Sequence, residues 1–77
     1  MDPSAHGRAA AASSELDGAE YYMKRGAYLA AVNRANYVLK NIPNSTERER
    51  ALRILKEAYK QLGYDEYAEK ISSFETN

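Results

Sequence analysis

Seventy-seven residues make at most one small domain, and with no cysteine in the chain neither a disulfide staple nor a thiolate metal site can supplement its core. Eleven basic residues balance eleven acidic ones, which leaves no net field to draw the chain toward nucleic acid or an anionic membrane. Apolar stretches are broken by Lys, Arg or Asn far short of the roughly 20 residues that span a bilayer, so no membrane insertion is expected of this segment.

Residues 1–14 read MDPSAHGRAAAASS, with no apolar run of the kind that marks a signal peptide. They read as a leader or cloning scar outside the fold, because four alanines from Ala9 to Ala12 do not overcome the cost of nucleating a helix unaided. The remainder, 15–77, reads as an all-α domain of two tetratricopeptide-like helical hairpins, a fragment of a right-handed solenoid with four antiparallel helices. The first hairpin is placed at 15–43 and the second at 44–75.

The first helix is expected from Ser14 to Arg25, with Ser14 as N-cap and Glu15 and Asp17 in the first turn, where carboxylates favour the helix dipole. Gly26 supplies the permissive backbone of a helix stop. The second helix resumes near Ala27 and carries Tyr28, Ala31, Val32, Ala35, Val38, Leu39 and Ile42 at steps of three and four, one apolar stripe. Pro43 disfavours helical geometry in the residue before it, so this helix is expected to end near Asn41.

The third helix opens on either of two capping boxes, Asn44 with Glu47 or Thr46 with Glu49. Its apolar set is Ala51, Leu52, Leu55, Ala58, Tyr59 and Leu62, with Ile54 to one side, and Gly63 ends it. The fourth helix runs from about Asp65 through Tyr67, Ala68, Ile71 and Phe74, and the last three residues are expected to fray.

An internal repeat ties these elements together. Shifting the chain by 37 residues places Tyr22 on Tyr59, Gly26 on Gly63, Ala31 on Ala68 and Tyr37 on Phe74. Each unit is a helix, a glycine, and a second helix whose small residue lets the two axes approach, which is the signature of stacked helical hairpins. The second unit resembles the tetratricopeptide repeat at Leu52, Leu55, Tyr59, Gly63 and Ala68. The first fits at Tyr22, Gly26, Tyr28, Ala31 and Pro43, but Glu15 and Gly18 stand where large apolar residues belong.

The run Tyr21-Tyr22-Met23-Lys24-Arg25-Gly26-Ala27-Tyr28, followed by Ala30-Ala31-Val32-Asn33-Arg34, is more specific than the repeat pattern, and Ala51-Leu52, Glu57-Ala58-Tyr59 and Leu62-Gly63 continue it. These residues resemble the C-terminal repeats of the BamD family, tetratricopeptide lipoproteins of the machinery that inserts β-barrel proteins into the bacterial outer membrane. The likeness covers roughly Glu15 to Lys70. It implies that the chain is an excised C-terminal part of a longer periplasmic protein, held at the inner face of the outer membrane by an anchor this chain lacks. It also implies protein partners: a POTRA domain of BamA and small accessory lipoproteins.

Chemical sites are scarce by comparison. His6 is the lone histidine and has no second ligand at metal spacing, Ser72 and Ser73 have no histidine base, and there is no glycine-rich phosphate loop. Neither an enzyme nor a cofactor is therefore expected. The plentiful carboxylates read as a solvated face, with Glu49 to Arg53 and Glu66 to Lys70 as acid-before-base pairs four apart.

The tyrosines at 22, 28, 59 and 67 read as fillers of the hairpin grooves. Tyr21, next to Tyr22 on another face of the same helix, must point away from its own hairpin. The expected partner interface is Arg34, whose planar fork suits a carboxylate, together with Arg25, Tyr21 and Asn33. Repeat packing falls to Tyr22, Gly26, Tyr28, Ala31, Leu52, Leu55, Tyr59, Gly63 and Ala68. Two hairpins leave a stacking face exposed, through which the chain would self-associate. The rival reading is a generic tetratricopeptide groove that clamps a peptide C-terminus with Lys24, Asn33, Asn36 and Lys40.

Overall fold

The computed structural model describes residues 3–42 and 47–75, with side chains described at 10–42 and 47–73. Four helices follow in order: α1 (Pro3–Lys24), α2 (Tyr28–Asn41), α3 (Arg48–Gln61) and α4 (Asp65–Glu75). Each packs against the next, and α1 also reaches α3. The result is two antiparallel hairpins side by side in a slab of 43 × 30 × 14 Å.

The two turns are built alike. Gly26 and Gly63 take φ of 77° and 82°, the left-handed region that costs an L side chain but not glycine. Past the first glycine, Ala27 N–H donates to Tyr22 O at 2.9 Å while Gly26 N–H donates to Met23 O at 3.1 Å. Past the second, Tyr64 N–H donates to Tyr59 O at 2.8 Å and Gly63 N–H to Lys60 O at 3.1 Å. Both are Schellman stops, which satisfy the last helical carbonyls and reverse the chain within three residues.

Small residues set the helix spacing. Ala12, Leu16 and Ala19 of α1 join Ala31, Val32, Ala35, Val38 and Ile42 from α2 and its end, then Ala51, Leu52, Ile54, Leu55 and Ala58 of α3 and Ile71 of α4, in one apolar cluster. Tyr22, Met23, Tyr28, Leu39, Tyr59 and Leu62 pack around it half-buried. Alanines at the α1 and α2 contact let the axes close, and Leu16, Val38 and Leu55 supply the bulk. Ile54, expected to one side, is itself buried.

The first helix departs from expectation. It begins at Pro3 rather than Ser14, so residues expected to lie outside the fold extend α1, and Ser14 is interior to a helix rather than its cap. Proline at the first helical position costs no hydrogen bond. Ala12 is buried in the shared cluster, and such burial supplies the tertiary stabilisation that a nucleation argument on an isolated alanine run leaves out.

The ends of α1, α2 and α3 and the starts of α2 and α4 fall within two residues of those expected. Pro43 and both capping boxes, through Asn44 and Thr46, lie outside the described residues, as do the side chain of Phe74 and residues 76–77. Glu47 flanks α3 without capping it through its side chain.

Candidate functional site

Two arginines cross from one helix to another, and they differ in how fully they are used. Arg50 on α3 is saturated. Its Nε and Nη2 donate to Glu20 Oε1 and Oε2 at 3.3 and 2.8 Å, Nη2 also donates to Asp17 Oδ1 at 2.7 Å, and Glu47 Oε2 lies 3.5 Å from Nη1. The forked contact to Glu20 and then the bond to Asp17 push the guanidinium further above its ordinary value, against the smaller opposing effect of burial. In return the hydrogen bond from Arg50 holds the Glu20 carboxyl below the usual carboxylate range. Arg50 thus ties the second hairpin to the first helix.

Arg34 on α2 is only partly used. Its Nη1 donates to Glu15 Oε2 at 3.3 Å, one nitrogen to one oxygen, and its side chain stays 40% exposed. The guanidinium carbon lies 5.2 Å from the centre of the Tyr22 ring, within range of a cation–π contact. Its shaft runs over Gly18, where an added Cβ would meet Arg34 Cδ at 3.3 Å and Nε and Nη1 at 3.5 Å. A hydrogen bond with Tyr22 first, and Glu15 after it, favour the charged form against the opposing effect of burial.

Tyr22 in turn meets Tyr21 edge-on, with ring centroids 5.6 Å apart at 72°, and the Arg25 guanidinium lies 4.8 Å from the Tyr21 ring centre. Tyr21 is half-exposed, as expected of the member of the pair that points away from its hairpin. Arg25, Tyr21, Tyr22, Arg34 and Glu15 therefore form a continuous alternation of cation, ring, ring, cation and acid. Three of the four expected interface residues lie along this line. Asn33 is exposed on the outer face of α2.

Sequence reasoning missed Glu15, and the repeat offset contains the signal. Shifted by 37, Glu15, Gly18 and Arg34 fall on Leu52, Leu55 and Ile71, all three of which are buried in the core cluster. What is an apolar trio in the second hairpin is an acid, a glycine and an arginine in the first. Glu15 and Gly18, which look like misfits one at a time, answer Arg34 together. Arg50 carried no such signal, since the two carboxylates it hydrogen-bonds lie 30 and 33 residues away.

Several other expectations need correction. The pairs Glu49 with Arg53 and Glu66 with Lys70 are not formed among the described residues. Lys70 lies instead 5.7 Å from the Tyr67 ring centre. Tyr67 does not fill a groove but is half-exposed, in a cluster with Tyr59 and Tyr64 at centroid distances of 5.4 and 5.9 Å.

Asn33, Asn36 and Lys40 share the solvent face of α2. The groove between α1 and α3, about 270 Å³, is lined by Glu20, Met23, Arg50, Arg53, Ile54 and Glu57. Among the described residues no three His, Cys, Asp or Glu are placed to hold a metal, and no helix is long and apolar enough to cross a membrane.

Fold and surface together define a helical-hairpin repeat of the tetratricopeptide kind that presents an arginine and tyrosine surface. Residues 6–74 match the family model described as YfiO, outer membrane lipoprotein, and the chain belongs to that family. It is 46% identical over 55 residues to the outer membrane protein assembly factor BamD of Neisseria meningitidis serogroup A, which covers 71% of this chain and 21% of the relative. The factor of the same name from Neisseria gonorrhoeae is 49% identical over 49 residues, 64% of this chain and 18% of the relative. That of Vibrio cholerae is 36% identical over 59 residues, 77% and 24%. The chain thus spans about a fifth of the length of these relatives. The resemblance read from Tyr21 to Arg34 holds, and the family match also takes in residues 6–14.

Proposed function

We propose that the chain is a protein-binding scaffold in outer-membrane protein assembly, and that the Arg34 surface of its first hairpin engages a carboxylate on a periplasmic POTRA domain of BamA. It works on the periplasmic side of the outer membrane, where accessory lipoproteins would contact the same repeats. The observation that carries the reading is the incomplete use of Arg34. It lies against Tyr22 and meets Glu15 through one nitrogen, and it is 40% exposed at a position where the second hairpin has a buried isoleucine. A guanidinium has five N–H donors, and a partner carboxylate can take two of them in parallel.

Arg25 on the Tyr21 ring extends the surface with a second cation, and exposed tyrosine and arginine side chains are the residues that dominate protein interfaces. The relatives, outer membrane protein assembly factors by name, agree with this reading. A pull-down with immobilised POTRA domain tests it: the chain is retained, and Arg34→Glu is lost. Retention of Arg34→Glu equal to that of the parent chain would remove Arg34 from the interface.

A further inference from the structure

We infer that Glu15 and Tyr22 are positioning residues for Arg34, holding its guanidinium in one orientation in the free chain so that a partner carboxylate meets a preset donor. The inference rests on the proposed reading of Arg34 as the partner contact, and adds what prepares it.

Three restraints converge on one side chain. The Gly18 backbone leaves room for the shaft to lie flat across α1, with an added Cβ only 3.3 Å from Cδ. The Tyr22 ring faces the guanidinium at 5.2 Å. Glu15 fixes one nitrogen at 3.3 Å. The restraints come from successive turns of α1, at positions 15, 18 and 22, and so form one strip facing α2.

No other arginine in the described residues is held this way and left open. Arg50 is consumed by Glu20, Asp17 and Glu47, Arg25 has a ring but no acid, Arg48 is exposed at the start of α3, and Arg53 is exposed on the wall of the groove. An arginine fixed before binding loses less side-chain freedom on docking, and that saving appears as affinity. Glu15 also acts in the opposite sense, since its charge repels an incoming carboxylate. Its single-nitrogen contact leaves the remaining N–H donors of Arg34 to the partner, which is the geometry of a holder rather than of a competitor.

The test uses the 77-residue chain with two readouts. The first is the steady-state ¹⁵N–¹H nuclear Overhauser effect of the Arg34 Nε–H group, with Arg53 as internal reference. The parent chain is expected to give a rigid Arg34 and a mobile Arg53, and Glu15→Ala to bring Arg34 to the Arg53 value. Tyr22→Leu, which keeps apolar bulk against the core, is expected to do the same.

The second readout is a double-mutant cycle of POTRA affinity. Glu15→Ala is expected to weaken binding by about fivefold when Arg34 is present and to have no effect in an Arg34→Gln background. Equal mobility of Arg34 and Arg53 in the parent chain, or unchanged or tighter binding by Glu15→Ala, overturns the positioning role while Arg34→Gln still weakens binding. No effect of Arg34→Gln itself overturns the interface reading instead, and with it the purpose assigned to the holder.

Discussion

Arg50 grips Glu20 with two parallel hydrogen bonds, Nε to Oε1 at 3.3 Å and Nη2 to Oε2 at 2.8 Å, across the boundary between the two hairpins. Forked pairs are the ion pairs with enough geometry to matter at a surface, and this one shares its arginine with Asp17 and Glu47. Replacing Arg50 with Met keeps the side-chain length and removes the fork. Urea unfolding followed by circular dichroism should show a loss of about 1 kcal/mol at neutral pH.

The same contact predicts an acid sensitivity. The Glu20 carboxyl is held below its ordinary value of 4.5 by Arg50. A carboxyl depressed in the folded state contributes stability that is present above the unfolded value and is lost as pH falls through the folded one. The midpoint of thermal unfolding should therefore drop as pH goes from 5 toward 3 by more in the parent chain than in Arg50→Met. Parallel curves for the two would separate acid sensitivity from this bridge.

The three described glycines that punctuate the hairpins should respond differently to alanine. Gly26 and Gly63 hold left-handed backbone with open space around them, so Gly26→Ala and Gly63→Ala should each cost about 1 kcal/mol through backbone strain alone. Gly18 lies inside α1, where alanine is favoured by up to about 1 kcal/mol. Gly18→Ala should hold or raise stability while shifting Arg34 off the α1 backbone. Chemical denaturation of all three distinguishes the backbone effect from the packing one.

Two leucines test the extent of the core. Leu16 is fully buried on α1, whereas Leu29 on α2 is 62% exposed. Leu16→Ala should lower stability by about 2 to 3 kcal/mol, and Leu29→Ala by no more than about 0.5 kcal/mol. A small effect of Leu16→Ala on the denaturation midpoint would mean that the first helix adds little to the fold.

What the sequence made legible was local. The stripe from Tyr28 to Ile42, the two glycine stops and the aromatic before each depend on spacings of three, four or five residues, and those elements appear where the pattern puts them. The start of α1 was illegible because Ala12 and Leu16 are stabilised by burial in a core shared with α2, and the alanine run alone carries no sign of it.

The ion pairs were illegible for the same reason. Spacing of four favoured Glu49 with Arg53, but the hydrogen-bonded ion pairs join residues 19, 30 and 33 apart, and the local contact of Arg50 is with Glu47, three residues before it. Arg34 and Tyr21 were legible as surface residues. That Glu15 answers Arg34 became visible only when the helices were brought side by side.

The most direct measurement is calorimetric titration of the chain with a POTRA domain of BamA, repeated with Arg34→Glu. Saturable binding is predicted for the parent chain, weakened by Arg34→Glu at least about tenfold, the loss expected of a charge-assisted contact at an interface. Binding of equal affinity by both chains, or none by the parent, would contradict the account.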